Sequence, residues 1–218
     1  MSILSGKKFF ISDVDGTIFD RMPLFTRVFA EVCKKRGVNQ GGARRHYIQT
    51  AGDILSDQFK KCFSGEGVKY TLETIKECEG SFLAKVKDVP APLFPGARET
   101  LTRLHEEGIM LFATSGSNED ELKTLFAFNL LPPFALILGS DRIPKGAEHI
   151  REFAKHVSLT VKKFAALAIM VGDGPTDMRI ASEANILGVG VTTTTTAEAL
   201  LEAGARQTIP LLSSIFTI

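Results

Sequence analysis

Five short runs along the chain are almost continuously apolar, without the alternation of a strand that has one face in water. They are residues 7–12, 109–114, 134–139, 167–172 and 186–191. Such runs are typical of parallel strands that are covered on both faces. Between the later runs lie helical patterns: Asn118 with Glu121 resembles a capping box, and Pro175 suits a first helical turn. The alternation from about residue 94 onward predicts an α/β fold with a doubly wound parallel sheet.

Residues 21–91 have a different pattern and contain no strand-like run. Their apolar positions recur with helical spacing, as in Leu24, Phe25, Val28, Phe29 and Val32. A segment with three prolines, residues 88–97, would return the chain to the sheet. We therefore predict a core formed by residues 1–20 and 92–218, with an all-helical cap domain inserted at residues 21–91.

Composition narrows the function classes. The chain has 218 residues, of which 44% are hydrophobic and 23% charged, and its formal net charge is +1. This balance predicts neither a nucleic-acid partner nor a membrane partner, and no apolar run approaches a membrane span. Cys33, Cys62 and Cys78 fit no disulfide framework or zinc spacing, and the first residues lack a signal-peptide pattern. We expect a cytoplasmic protein; the sequence does not indicate an oligomeric state.

Two carboxylates, Asp13 and Asp15, directly follow the first apolar run. At this spacing an extended chain places both side chains on one face. Two close carboxylates repel unless a cation or a shared proton relieves them, and Mg²⁺ prefers oxygen ligands. Gly16 would let the backbone turn there. Taken alone, the pair is equally compatible with a turn that exposes two solvated aspartates.

Polar residues also follow the other apolar runs. Thr114, Ser115 and Gly116 offer hydroxyl and backbone N–H groups for phosphate oxygens, although a helix cap is an alternative. Lys145, taken alone, is more typical of a solvated lysine. Asp173 and Asp177 flank a helix start, where an N-cap and a first-turn acid would be ordinary. Their order at successive strand ends carries more weight than any one residue.

Together these segments resemble the haloacid dehalogenase-like hydrolase superfamily. Its first motif corresponds to residues 13–17 (DVDGT), its second ends at Thr114, its third is Lys145, and its fourth is residues 172–177 (GDGPTD). The resemblance covers essentially the whole chain and implies a Rossmann-like core. The size and position of the helical insert are similar to the cap of the phosphoglycolate phosphatase-like subgroup.

The resemblance implies a Mg²⁺-dependent phosphatase. Asp13 would be the nucleophile that forms an aspartyl-phosphate, and Asp15 the acid and base. Thr114 would bind the phosphoryl group, with Ser115 and Gly116 beside it, and Lys145 would offset negative charge. The metal site would combine Asp13, the backbone carbonyl of Asp15, and Asp173. Asp177 would orient Lys145 or reach the metal through water.

The resemblance leaves the substrate open among small phosphorylated metabolites, with phosphoglycolate ahead of sugar phosphates, nucleotides and pyrophosphate. Alternatives are a sugar-phosphate mutase of the same superfamily and a non-catalytic phosphate-binding interaction protein. A signalling receiver domain fits less well, because its phosphorylated aspartate lies on a later strand.

Three further segments carry weaker signals. Residues 41–53 form a candidate substrate-contacting loop, in which Arg44 and Arg45 could bind a carboxylate or could simply begin a solvated helix. Residues 19–22 depart from the family's usual Asp-Ser continuation. The threonine tract, residues 192–196, is expected to end a strand and cap a helix through Thr195.

Overall fold

Six parallel strands form the central sheet in the computed structural model, which describes residues 2–87 and 89–218. The strands are β1 (Phe9–Ser12), β2 (Met110–Thr114), β3 (Leu136–Leu138), β4 (Ala168–Gly172), β5 (Leu187–Val191) and β6 (Gln207–Ile209). Their order across the sheet is β3-β2-β1-β4-β5-β6, with every neighbouring pair parallel. The predicted doubly wound parallel sheet is confirmed. Strand β6 was not predicted, because its three residues are too short to show a pattern.

Helices cover both faces of this sheet, and the first four of them form a separate unit. They are α1 (Met22–Lys34), α2 (Gln40–Gln49), α3 (Leu55–Gly65), α4 (Leu72–Val86), α5 (Ala97–Glu106), α6 (Glu119–Phe128), α7 (Ala147–His156), α8 (Val161–Leu167), α9 (Pro175–Glu183) and α10 (Ala197–Glu202), followed by a 3-10 helix at Leu212–Thr217. Odd and even residues of β1 pack into different cores, with Phe10 on one face and Ile11 on the other. None of the described helices is long and apolar enough to cross a membrane.

Helices α1–α4 have a hydrophobic core of their own. Phe29, Phe59 and Phe63 are completely buried there, and the ring centroids of Phe29 and Phe59 lie 4.5 Å apart. Aromatic burial of this size can stabilise a small helical unit. The four helices lie between β1 and α5 in the chain, where the helical insert was expected.

Local sequence features explain several boundaries and correct one expectation. The side chain of Asn39 accepts hydrogen bonds from Gly41 and Gly42, and helix α2 occupies most of residues 41–53, where a loop and a helix start were both considered. At α6 the predicted Asn118 cap is present. At α10 the capping hydroxyl belongs to Thr196, not Thr195, because the helix begins one residue later than expected.

The parallel register brings the important loops to one edge of the sheet. Ser12, the last residue of β1, lies beside Ala113 of β2 and Val171 of β4. The chain segments that follow β1, β2 and β4 therefore leave the sheet next to one another. In parallel sheets of this kind, ligands bind outside the carboxyl ends of the strands.

Candidate active site

A buried lysine lies between two aspartates at this edge. The Nζ atom of Lys145 is 2.6 Å from Oδ1 of Asp13 and 2.7 Å from Oδ1 of Asp177, and the lysine side chain is 1% exposed. Burial raises the pKa of the Asp13 carboxyl well above its ordinary value, although Lys145 opposes this shift. Burial also disfavours the lysine charge, but the two carboxylates outweigh it and raise the pKa of Lys145. Lys145 is therefore a fixed cation beside Asp13.

The same aspartates form a group that could hold a metal ion. Carboxylate oxygens of Asp13, Asp173 and Asp177 lie within 4.8 Å of one another, and all three residues are buried. Among the described residues, Oδ2 of Asp173 has no hydrogen-bond partner. Burial and the charge of Asp177 raise the pKa of Asp173 to about 6. Three carboxylates thus face one ammonium group, and a hard divalent cation would fit this all-oxygen set.

Backbone and hydroxyl contacts shape the turn after β1. Gly16 has a φ of 95°, and a Cβ at this position would lie 2.1 Å from Oδ2 of Asp173, so a side chain would fill the metal cradle. The hydroxyl of Thr17 donates to Oδ1 of Asp173 at 3.1 Å. The hydroxyl of Thr193 donates to the Gly16 carbonyl. Sequence reasoning missed Thr193, because a tract of five threonines does not show which one folds toward another loop.

The side chain of Asp15 points away from the three-aspartate group. Its Oδ1 accepts a hydrogen bond from Nε of Arg21 at 2.5 Å, and its Oδ2 accepts one from the hydroxyl of Ser117 at 2.9 Å. Arg21 is 5% exposed and also contacts Glu121, with Nη1 2.6 Å from Oε1. Arg21, one of the residues 19–22 that depart from the family pattern, is thus an ion-pair partner of Asp15. Charge pairing at this position could not be inferred from the sequence, since Glu121 is a hundred residues from Arg21 along the chain.

Thr114 and Ser115 point in different directions. Thr114 ends β2 on the same face as Phe112, and its hydroxyl lies 2.7 Å from Nδ1 of His149. Burial lowers the pKa of His149, which favours the neutral ring. Because Nε2 donates to the carbonyl of Ile143, Nδ1 must accept the proton of the Thr114 hydroxyl. The structure therefore does not bring the Thr114 hydroxyl to the cavity, whereas Ser115 lines it and lies 3.4 Å from Asp15.

A cavity of about 270 Å³ connects these groups with the helical unit. Its floor contains Asp13, Asp15, Ser115, Gly116, Lys145, Asp173 and Asp177. Residues from α1, α2, α4 and the 51–55 segment form its roof. Thr114 does not line it, and Arg44 lines a separate depression with Asp20 and Thr193. The arrangement can hold a metal ion and a small anion against Asp13, in a cavity that Asp15 also lines.

Comparisons with known proteins identify the family of this chain. The family model described as haloacid dehalogenase-like hydrolase matches residues 10–191. A curated relative, validoxylamine A 7'-phosphate phosphatase from Streptomyces hygroscopicus subsp. limoneus, is 29% identical over 88% of this chain and 88% of its own length.

Solved structures share the fold at lower identity. A hydrolase from Pseudomonas syringae has a TM-score of 0.83 and is 18% identical, with 97% of each chain covered. A beta-phosphoglucomutase from Clostridium difficile has a TM-score of 0.77 and is 16% identical, covering 95% of this chain and 92% of its own. The family match spans all four strand-end motifs, so the chain belongs to the haloacid dehalogenase-like hydrolases.

Proposed function

We propose that this protein is a Mg²⁺-dependent phosphatase that hydrolyses a small phosphorylated metabolite through an aspartyl-phosphate intermediate. One observation carries the proposal: the buried Asp13 carboxylate faces the cavity between a fixed ammonium group and two further carboxylates. A dianionic phosphate approaches an anionic nucleophile only where positive charge offsets the repulsion. Lys145 supplies one such charge.

Asp13, Asp173 and Asp177 would hold the metal, which would supply the remaining positive charge. Members of this family generally use a divalent metal, and the oxygen-only ligand set favours Mg²⁺. The oxygen of Asp13 that is not paired with Lys145 is the candidate nucleophile, because Lys145 occupies Oδ1. The backbone carbonyl of Asp15 is a further proposed ligand.

The proposed reaction has two steps. In the first, an Asp13 oxygen bonds to phosphorus, the bond from phosphorus to the ester oxygen breaks, and protonated Asp15 gives its proton to that oxygen. In the second, Asp15 takes a proton from water, which attacks phosphorus and releases inorganic phosphate and Asp13. Arg21 and Ser117 hold the carboxyl group of Asp15 in place during both transfers.

The phosphoryl oxygens would contact Ser115, Gly116 and Lys145. We assign this contact to Ser115 instead of Thr114, because the Thr114 hydroxyl is bound to His149. Residues 21–91 would act as a cap that excludes water and contacts the leaving group. The activity of the curated relative, a phosphatase of validoxylamine A 7'-phosphate, supports a small phosphate ester as substrate. The proposed class includes phosphoglycolate-like compounds and sugar phosphates. We propose a cytoplasmic location, where such metabolites occur.

A test would combine turnover with trapping of the intermediate. Purified protein with Mg²⁺ is expected to release phosphate from p-nitrophenyl phosphate, and Asp13→Asn is expected to release none. Acid quenching during turnover should leave phosphate attached to the peptide that contains Asp13. Asp57→Asn, which changes a half-exposed aspartate paired with Lys60, serves as the matched control and should retain activity.

The outcomes separate the readings. Turnover by Asp13→Asn equal to that of the wild type would contradict the nucleophile assignment. Trapped phosphate without release of inorganic phosphate would instead favour a mutase, which returns the phosphoryl group to a sugar phosphate.

A further inference from the structure

The roof of the cavity differs from its floor in chemistry. We infer that the leaving group of the substrate carries no negative charge and has an apolar face: it is an uncharged or cationic alcohol, not one bearing a carboxylate or a second phosphate. This inference rests on the proposed phosphatase function and narrows its substrate class.

Apolar side chains dominate the roof, which we call the cap wall. It consists of Met22, Phe25, Tyr47, Ile54, Phe82, Leu83 and Val86. Most of these side chains are buried among the cap helices, whereas Leu83 is 51% exposed at the mouth. Except at the Tyr47 hydroxyl, a group placed against this wall loses water without gaining hydrogen bonds, so the wall favours carbon over charged oxygen.

The charged residues around the cap wall are acidic. Asp53, Glu79, Glu121 and Asp141 all line the cavity. Within residues 2–87 and 89–218, Lys145 is the only basic residue that lines it, and its ammonium group is already bound to two carboxylates. A negatively charged leaving group would therefore find no free cation.

Glu79 favours a cationic leaving group over an anionic one. Asp53 is paired with Lys61 and Glu121 with Arg21, so the charges of these two acids are balanced. Among the described residues Glu79 has no ion-pair partner within 4 Å, because the nearby Lys60 is bound to Asp57 instead. Glu79 projects from the same helix as Phe82, Leu83 and Val86. Arg21 lies behind the wall and is neutralised by Asp15 and Glu121. An anion in the roof would meet repulsion from Glu79, whereas an ammonium group would meet attraction.

Three phosphate esters with the same two-carbon skeleton test the inference. They are 2-phosphoglycolate, 2-hydroxyethyl phosphate and O-phosphoethanolamine, which place a carboxylate, a hydroxyl and an ammonium group at the same position. Each is measured as a competitor of p-nitrophenyl phosphate hydrolysis by the Mg²⁺-loaded protein, so slow turnover does not hide binding. We expect the neutral and cationic esters to bind at least about tenfold more tightly than phosphoglycolate, a difference of about 1.4 kcal/mol.

Two variants test whether Glu79 and Leu83 cause this preference among the three esters. Glu79→Gln should reduce the advantage of O-phosphoethanolamine over 2-hydroxyethyl phosphate, and Leu83→Arg should improve phosphoglycolate binding. Glu77→Gln is the matched control, because Glu77 lies on the same helix but is an exposed partner of Arg36 outside the cavity. It should leave the order of the three esters unchanged.

The results distinguish this inference from the proposed function. Equal affinities, or tightest binding of phosphoglycolate, would overturn the inference while p-nitrophenyl phosphate hydrolysis still supported a phosphatase. Failure to hydrolyse p-nitrophenyl phosphate would count against the proposed function itself. Calorimetry would then measure the binding of the same three esters directly.

Discussion

Replacing Lys145 by methionine should destabilise the metal-free protein strongly, because it removes the cation from between two buried carboxylates. The Asp13 and Asp177 side chains are 7% and 3% exposed, and each lies within 2.7 Å of the ammonium group. Removing one partner of a buried ion pair costs about 3–5 kcal/mol. For a chain of this size, each kcal/mol lowers the melting temperature by about 2–4 °C. Lys145→Met should therefore melt at least about 6 °C below the wild type.

The loss of stability in Lys145→Met should also depend on pH. The pKa of Asp13 is already raised by burial in the wild type, and loss of the lysine charge should raise it further. At low pH a protonated Asp13 no longer needs a cation, so the difference in stability between Lys145→Met and the wild type should shrink from about pH 7 to about pH 5.

The assay is thermal or urea unfolding without divalent metal, with Lys155→Met as the matched control. Lys155 is 77% exposed and paired with Glu152 on the surface, so its loss should cost less than about 1 kcal/mol. The reasoning about buried charge would be refuted if the two variants were equally stable. It would also be refuted if the loss of stability in Lys145→Met did not become smaller as the pH was lowered.

Three further predictions concern the neighbours of this pair. Ser115→Ala should lower kcat/KM for p-nitrophenyl phosphate about tenfold or more. Thr114→Val should retain kcat/KM but lose about 1–3 kcal/mol of unfolding free energy, because a buried histidine nitrogen loses its hydrogen-bond donor. A larger loss of kcat/KM in Thr114→Val than in Ser115→Ala would contradict the assignment of the phosphoryl contact to Ser115. The raised pKa of Asp173, about 6, means that the metal-free fold binds this proton more tightly than the unfolded chain; its contribution to stability is present at low pH and is lost as pH rises toward 6. Excess Mg²⁺ should consequently raise the melting temperature more at about pH 7.5 than at about pH 5, and equal shifts would argue against metal binding by this group. Arg21→Gln should reduce kcat more than it raises KM, because Arg21 positions Asp15 and does not line the cavity; steady-state kinetics would show the opposite split if Arg21 bound substrate.

The order of the chemical groups could be predicted from the sequence because parallel strands end at one edge. Once the apolar runs were recognised as such strands, Asp13 and Asp173 were expected to lie close together, whereas Lys145 was expected beside them only from the family resemblance. The orientation of Thr114 could not be predicted in the same way. It depends on the residue at which β2 ends, and a shift of one position exchanges the two faces of a strand.

Contacts between distant loops were also beyond sequence patterns. The ion pair of Asp15 with Arg21 and Glu121 requires the path of the chain between the first strand and the cap, which local propensity does not specify. The sequence left residues 41–53 open between a loop and a helix for a different reason. Gly41 and Gly42 oppose a helix, but the side chain of Asn39 satisfies both of their N–H groups.

The position of β1 at the centre of the sheet has a consequence for biosynthesis. Phe9 pairs with Met110 on one side and Ala168 on the other, so the central strand is made long before either of its partners. Helices α1–α4 instead pack on near neighbours in the chain, with α1 against α2 and α4. During translation the helical unit can become compact while β1, with its apolar Phe9–Ser12 run, still lacks both neighbours. Asp13, the proposed nucleophile attached to that strand, is consequently among the earliest residues synthesised and among the last to reach its working position.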